Sequence, residues 1–109
     1  MSSEEPGQKH IFMALTNPIE GREDEFNAWY DQEHVPDVVA VECYRSGRRF
    51  KLENTAGAPA PWKYLSLYRF EGSVPRMHEL LGEASDRHET TMTEAIVDDD
   101  GAWIYTNID

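Results

Sequence analysis

The spacing of apolar positions switches repeatedly along this chain, and each switch marks a change of element. Residues 9–17, KHIFMALTN, form a short apolar run ending in an Asn-Pro turn, the pattern of a strand covered on both faces. Asn17-Pro18 and Gly21 punctuate the crossing into a helical period. Within Gly21 to Asp37, GREDEFNAWYDQEHVPD, the residues Phe26, Tyr30, His34 and Asp37 follow at spacings of four, four and three and share one helical face. Gly21 is a permissible N-cap, and Glu23, Asp24 and Glu25 place carboxylates in the first turn, where the helix dipole favours negative charge. Pro36 disfavours helical geometry at Val35 and cannot donate a backbone bond, so this helix is expected to stop there with His34 at its end.

Val38 to Val41 is apolar and packs the connection to a second strand, about Cys43 to Leu52. Alternation there puts Tyr44, Ser46, Arg48 and Phe50 on one face and Cys43, Arg45, Gly47 and Arg49 on the other. Residues 53–61, ENTAGAPAP, are the clearest loop, across which the flanking strands pair as a hairpin. From Trp62 to Phe70 the chain alternates Tyr64, Ser66, Tyr68 and Phe70 with Leu65 and Leu67, so both faces carry large groups. Ser73 or Val74 caps a second helix with Pro75 at an early position, and Met77, Leu80, Leu81 and Ala84 are its core face. From Ser85 to Val97 the pattern thins to a weaker helical face of Met92, Ala95, Ile96 and Val97. A charged turn, Asp98 to Gly101, leads into a last strand with Trp103, Ile104, Tyr105 and Ile108.

The order strand, helix, strand, strand, helix, strand predicts an α+β fold of the ferredoxin-like βαββαβ plan: a four-stranded antiparallel sheet with two main helices on one face. The opposite face remains apolar and bare, which predicts a homodimer through the sheet. Residues 1–8 read as a flexible leader and 9–109 as the single domain.

Composition narrows the partners. A net charge of −11 argues against nucleic acid and against an anionic membrane surface, both of which need a basic patch. The single cysteine, Cys43, rules out an internal disulfide framework and fits a reducing compartment. The first residues, MSSEEPGQK, lack a signal-type apolar stretch, and the longest apolar run, Ile11 to Leu15, is far short of a span. A soluble, cytoplasmic protein is expected. No Gly-rich phosphate loop, nucleophile elbow or Cys-based metal motif occurs, so no cofactor is expected.

The one cluster with the look of chemistry surrounds His34, whose ordinary pKa of about 6.5 suits proton transfer near neutrality. Asp31 and Asp37, each three residues away, are placed to orient its ring; the alternative is a His34 that bonds a backbone carbonyl and closes the helix end. The same acids could suggest a metal, but the ligand set is incomplete and His10, His78 and His88 lie far off in sequence; no metal is expected. Arg48 and Arg49 point to opposite faces of their strand, so one of them faces a pocket where it could hold a carboxylate or enolate oxygen, unless both merely pair with surface acids. Arg48 joins Phe12, Phe26, Tyr30, Tyr64, Tyr68 and Trp103 as the expected substrate-binding set, though aromatics on strands are more often core.

The stretch N-P-x-x-G-R-E-D-E-F-N-x-W-Y-D-x-x-H-x-P-D, Asn17 to Asp37, with the Arg48-Arg49-Phe50 strand after it, resembles the EthD-like group of dimeric α+β barrel proteins. The wider superfamily includes muconolactone isomerase, tetracenomycin-type aromatic polyketide cyclases and cofactor-free quinone-forming monooxygenases. The resemblance implies two subunits joining their sheets into a barrel, each keeping a pocket between its sheet and its helices. His34 matches the His-x-Pro position at the end of the first helix of that group. The expected activity is cofactor-independent proton transfer by an isomerase, cyclase or lyase on an apolar or aromatic carbonyl compound. His34 is its acid or base, Asp37 or Asp31 the orienter and Tyr30 a hydrogen-bond donor. A cofactor-free monooxygenase and a non-catalytic ligand-binding or assembly protein are the rivals.

Overall fold

The computed structural model describes residues 7–87 and 92–108. Strands β1 (Lys9–Thr16), β2 (Tyr44–Lys51), β3 (Tyr64–Glu71) and β4 (Gly101–Thr106) form one sheet in the order β2-β3-β1-β4, every neighbouring pair antiparallel. Between β1 and β2 run α1 (Glu23–Trp29), a wide turn (Tyr30–His34) and α2 (Val35–Val39); α3 (Val74–Asp86) connects β3 to β4. This is the ferredoxin-like α+β plan. Of the leader expected over residues 1–8, residues 1–6 lie outside the described residues, and Gln8 is tied in, accepting from the Gly72 amide and donating to the Asn107 carbonyl.

The inner face of the sheet carries His10, Phe12, Ala14 and Thr16 of β1 opposite Phe70, Tyr68, Ser66 and Tyr64 of β3. The helices cover this face. Tyr44, Tyr68 and Phe70 pack with Val38 and with Met77 and Ala84 of α3, while Phe26, Trp29 and Tyr30 pack with Tyr64 and Ala95. The outer face carries Met13, Leu15, Leu65 and Leu67, all partly covered, with Phe50, Trp103 and Tyr105 exposed.

Three local readings need correction. The helix does not stop at Pro36: the chain widens so that the Val35 amide donates to the carbonyl of Tyr30, five residues back, and Pro36 then sits in the first turn of α2, where a missing amide costs little. His34 is therefore inside a continuous helical segment rather than at its end. Strict alternation fails in β2, where a bulge between Tyr44 and Ser46 lets Tyr44 share the inner face with Gly47 and Arg49. The weak helical pattern after residue 85 gives no helix among the described residues 92–100; Ile96 instead bridges Pro18, and the Ile19 amide donates to Ala95. At the start of α1 the cap is Arg22, with Gly21 supplying the positive-φ turn before it. Ser73 caps α3 as its sequence suggests, accepting from the Arg76 amide at 3.1 Å.

Candidate functional site

Between the inner face of the sheet and the first helical segment lies a cavity of about 350 Å³, within the range of small-molecule sites. The sheet contributes Phe12, Ala14, Thr16, Tyr44, Tyr68 and Ala102, and the helical segment Trp29, Tyr30, His34 and Val38. Leu81 of α3 and the Met92, Ile96 and Asp100 stretch complete the wall. Behind this wall, a Cβ at Gly47 would meet both Tyr68 and Val39 at 3.0 Å, so glycine lets the Tyr68 ring and Val39 of α2 close over the β2 backbone.

The wide turn positions His34. In a regular helix residues five apart point in different directions, but the extra residue brings Trp29 over the imidazole, with centroids 4.5 Å apart and planes 18° from parallel. Tyr30 meets the same ring edge-on at 5.3 Å, and Tyr68 does so at 6.5 Å from the sheet. The His34 Nδ1 atom is buried and has no hydrogen-bond partner. Burial lowers the pKa of this histidine, against a smaller upward pull from the Asp37 carboxylate. At neutral pH the ring is uncharged and able to take a proton.

Neither Asp31 nor Asp37 gives the His34 Nδ1 atom a hydrogen-bond partner. Asp31 is held instead by Arg49, at 3.0 Å, and Asp37 acts on His34 through its charge. Arg49 is the inward arginine of the pair, and it is walled off from the cavity: its second Nη donates to Asn27 at 2.8 Å, and its guanidinium lies 4.5 Å from the Tyr30 ring centre. Arg48 is exposed on the opposite face, a correction to its place in the substrate-binding set. Trp103 is likewise on the outer face, beside Trp62. Phe26 is fully enclosed in the core, and Tyr64 is buried there too, with its hydroxyl donating to Glu23. Phe12, Tyr30 and Tyr68 do line the cavity, although the Tyr30 hydroxyl is already shared with Thr16 at 3.3 Å.

Sequence reasoning missed Tyr44 and Trp29. Both hydroxyls of Tyr44 and Tyr68 are buried without hydrogen-bond partners, and burial pushes both pKa values well above the ordinary phenol range. Each is therefore a neutral donor at any working pH. His10, by contrast, is structural: one ring nitrogen faces Thr106 Oγ1 at 2.9 Å and the other the Gly72 carbonyl at 2.7 Å, which fixes the proton on the second. Among the described residues no group of three or more His, Cys, Asp or Glu side chains is disposed to hold a metal ion, and no helix is long and apolar enough to cross a membrane.

Fold and cavity together define a class: a ferredoxin-like α+β domain with a small-molecule-sized chamber between sheet and helices. No family model and no curated protein matches the sequence. Among solved structures, the chain is similar to a candidate monooxygenase from Shewanella loihica PV-4, with a TM-score of 0.68 over 96% of this chain and 99% of that one at 8% identity. It is similar also to an ethyl tert-butyl ether d (EthD) family protein from Bacillus halodurans C-125, with a TM-score of 0.61 over 93% and 99% at 9% identity. At such identities the likeness establishes the fold, in agreement with the EthD-like resemblance of residues 17–37; the chemistry has to be argued from the site.

Proposed function

We propose that this chain is a small-molecule enzyme that moves a proton on an apolar or aromatic carbonyl compound without a cofactor, as an isomerase, cyclase or lyase. The observation that carries the reading is the uncharged His34, its Nδ1 buried and unpartnered, in the wall of an apolar cavity. In this mechanism the neutral imidazole of His34 takes a proton from carbon beside the carbonyl, and the electron pair moves onto the carbonyl oxygen as an enolate. The imidazolium then returns the proton at another atom, or to a leaving group. Asp37 steadies the imidazolium through its charge. The working unit is a homodimer joined through the outer sheet faces, since Phe50, Trp103 and Tyr105 otherwise leave apolar surface in water.

A His34→Gln variant separates the readings. For a substrate found by screening carbonyl compounds, turnover should fall by about a hundredfold or more while affinity stays within about threefold. Affinity that falls with full turnover retained would contradict the assignment. A protein that binds but never turns over, wild type included, would be a ligand-binding module. The likeness to a candidate monooxygenase supports a second reading, in which the anion made by His34 passes electrons to dioxygen. Oxygen uptake in step with turnover would favour it.

A further inference from the structure

We propose that the hydroxyls of Tyr44 and Tyr68 form a paired donor site for one oxygen of the ligand, and so restrict the cavity to uncharged compounds carrying a carbonyl, enol or phenol oxygen. The proposal rests on reading the cavity as a ligand site. The chain has four buried tyrosines, and the protein itself satisfies two: Tyr30 through Thr16 and Tyr64 through Glu23. The other two, 5% and 3% exposed, leave their hydroxyls without partners, and both line the cavity. Ser66 lies close to Tyr68 but outside hydrogen-bond geometry. Phenylalanine at either position would keep the ring packing and avoid burying an idle hydroxyl, so packing does not account for the oxygen atoms.

Their placement is also mutual. The bulge in β2 turns Tyr44 onto the inner face, where its ring stands 6.0 Å from that of Tyr68 and 84° from its plane. Tyr68 in turn stands edge-on to His34, with ring centres 6.5 Å apart, so the tyrosines and the imidazole belong to one wall of the cavity. The hydroxyls stay protonated, which suits an oxygen that gains negative charge as His34 removes the proton. Among the described residues the cavity wall holds no lysine or arginine, and its one carboxylate is Asp100. A ligand entering as an anion would find no counter-ion, whereas a neutral one gains negative charge only after it is on the donors.

The test uses 2-tetralone and tetralin, the same bicycle with and without the carbonyl, against wild type, Tyr44→Phe and Tyr68→Phe. Each variant should keep or raise the thermal midpoint. Each should bind 2-tetralone about tenfold more weakly, while tetralin binding is unchanged. Variants that bind 2-tetralone as wild type does would overturn the donor pair and leave the cavity reading intact. A wild type that binds neither compound would overturn the cavity reading and the donor pair with it. If Tyr68→Phe fails to fold, Tyr44→Phe decides the matter alone.

Discussion

Burial and the Asp37 carboxylate act on the His34 ring in opposite directions, and burial is the stronger. The sign of the consequence follows from proton counts. With a folded-state pKa below 6.5, the unfolded chain binds more protons than the folded one once the pH drops towards 6.5, so this group destabilises the fold as acid is added. Thermal midpoints measured from pH 7 to pH 5 should therefore fall more steeply for wild type than for His34→Gln; parallel curves would mean the ring is not held neutral. For the proposed reaction, the same shift governs the pH dependence of the rate. Catalysis that needs the neutral base should hold steady near pH 7 and decline only below 6.5, with no decline in that range for steps that bypass His34. Tyr44 and Tyr68 will not titrate over this span, since burial drives them far the other way.

Two irregular elements decide which side chains meet, and neither can be read from periodicity. Five residues of regular helix turn through about 140°, which would hold Trp29 away from His34. The wide turn stacks them, so Trp29 emission should report the histidine. In a Trp62→Phe, Trp103→Phe background, the fluorescence of Trp29 should titrate with a midpoint below pH 6.5, and His34→Gln should abolish the titration. This explains what was legible. The strand of Tyr64 and Phe70, the hairpin loop and the cap at Ser73 follow local rules, and the helical face of Tyr30 and His34 points the right way. The bulge inverted Tyr44 relative to Arg48, and Trp29 lies off the face that a spacing of four defines; Met92 and Ile96 reach the cavity from a stretch with no helix. Gly47 offers a further check on this geometry. A methyl group there must displace Tyr68 or Val39, so Gly47→Ala should cost about 1–3 kcal/mol in stability by chemical denaturation and weaken binding in the cavity.

At the scale of the molecule, a single layer of helices covers one face of a sheet whose other face is also apolar. Leu67 sits near the middle of that outer face on β3, with Met13 paired to it on β1. Light scattering should give about 25 kDa, twice the chain mass of 12.5 kDa, and Leu67→Arg should halve it without unfolding the protein. A wild type that stays at 12.5 kDa at micromolar concentration would end the dimer proposal. The cavity lies on the other side of the sheet, so its chemistry can be tested independently of assembly. The central claim is that His34 exchanges a proton with a carbonyl ligand, and solvent deuterium reads this directly. Incubated with 2-tetralone in deuterium oxide at neutral pD and followed by NMR, the wild-type protein should speed deuterium entry beside the carbonyl by about a hundredfold over buffer. His34→Gln should bind the ketone comparably yet exchange at the buffer rate. Exchange at the buffer rate by a wild type that binds 2-tetralone, or equal exchange by His34→Gln, would contradict the account.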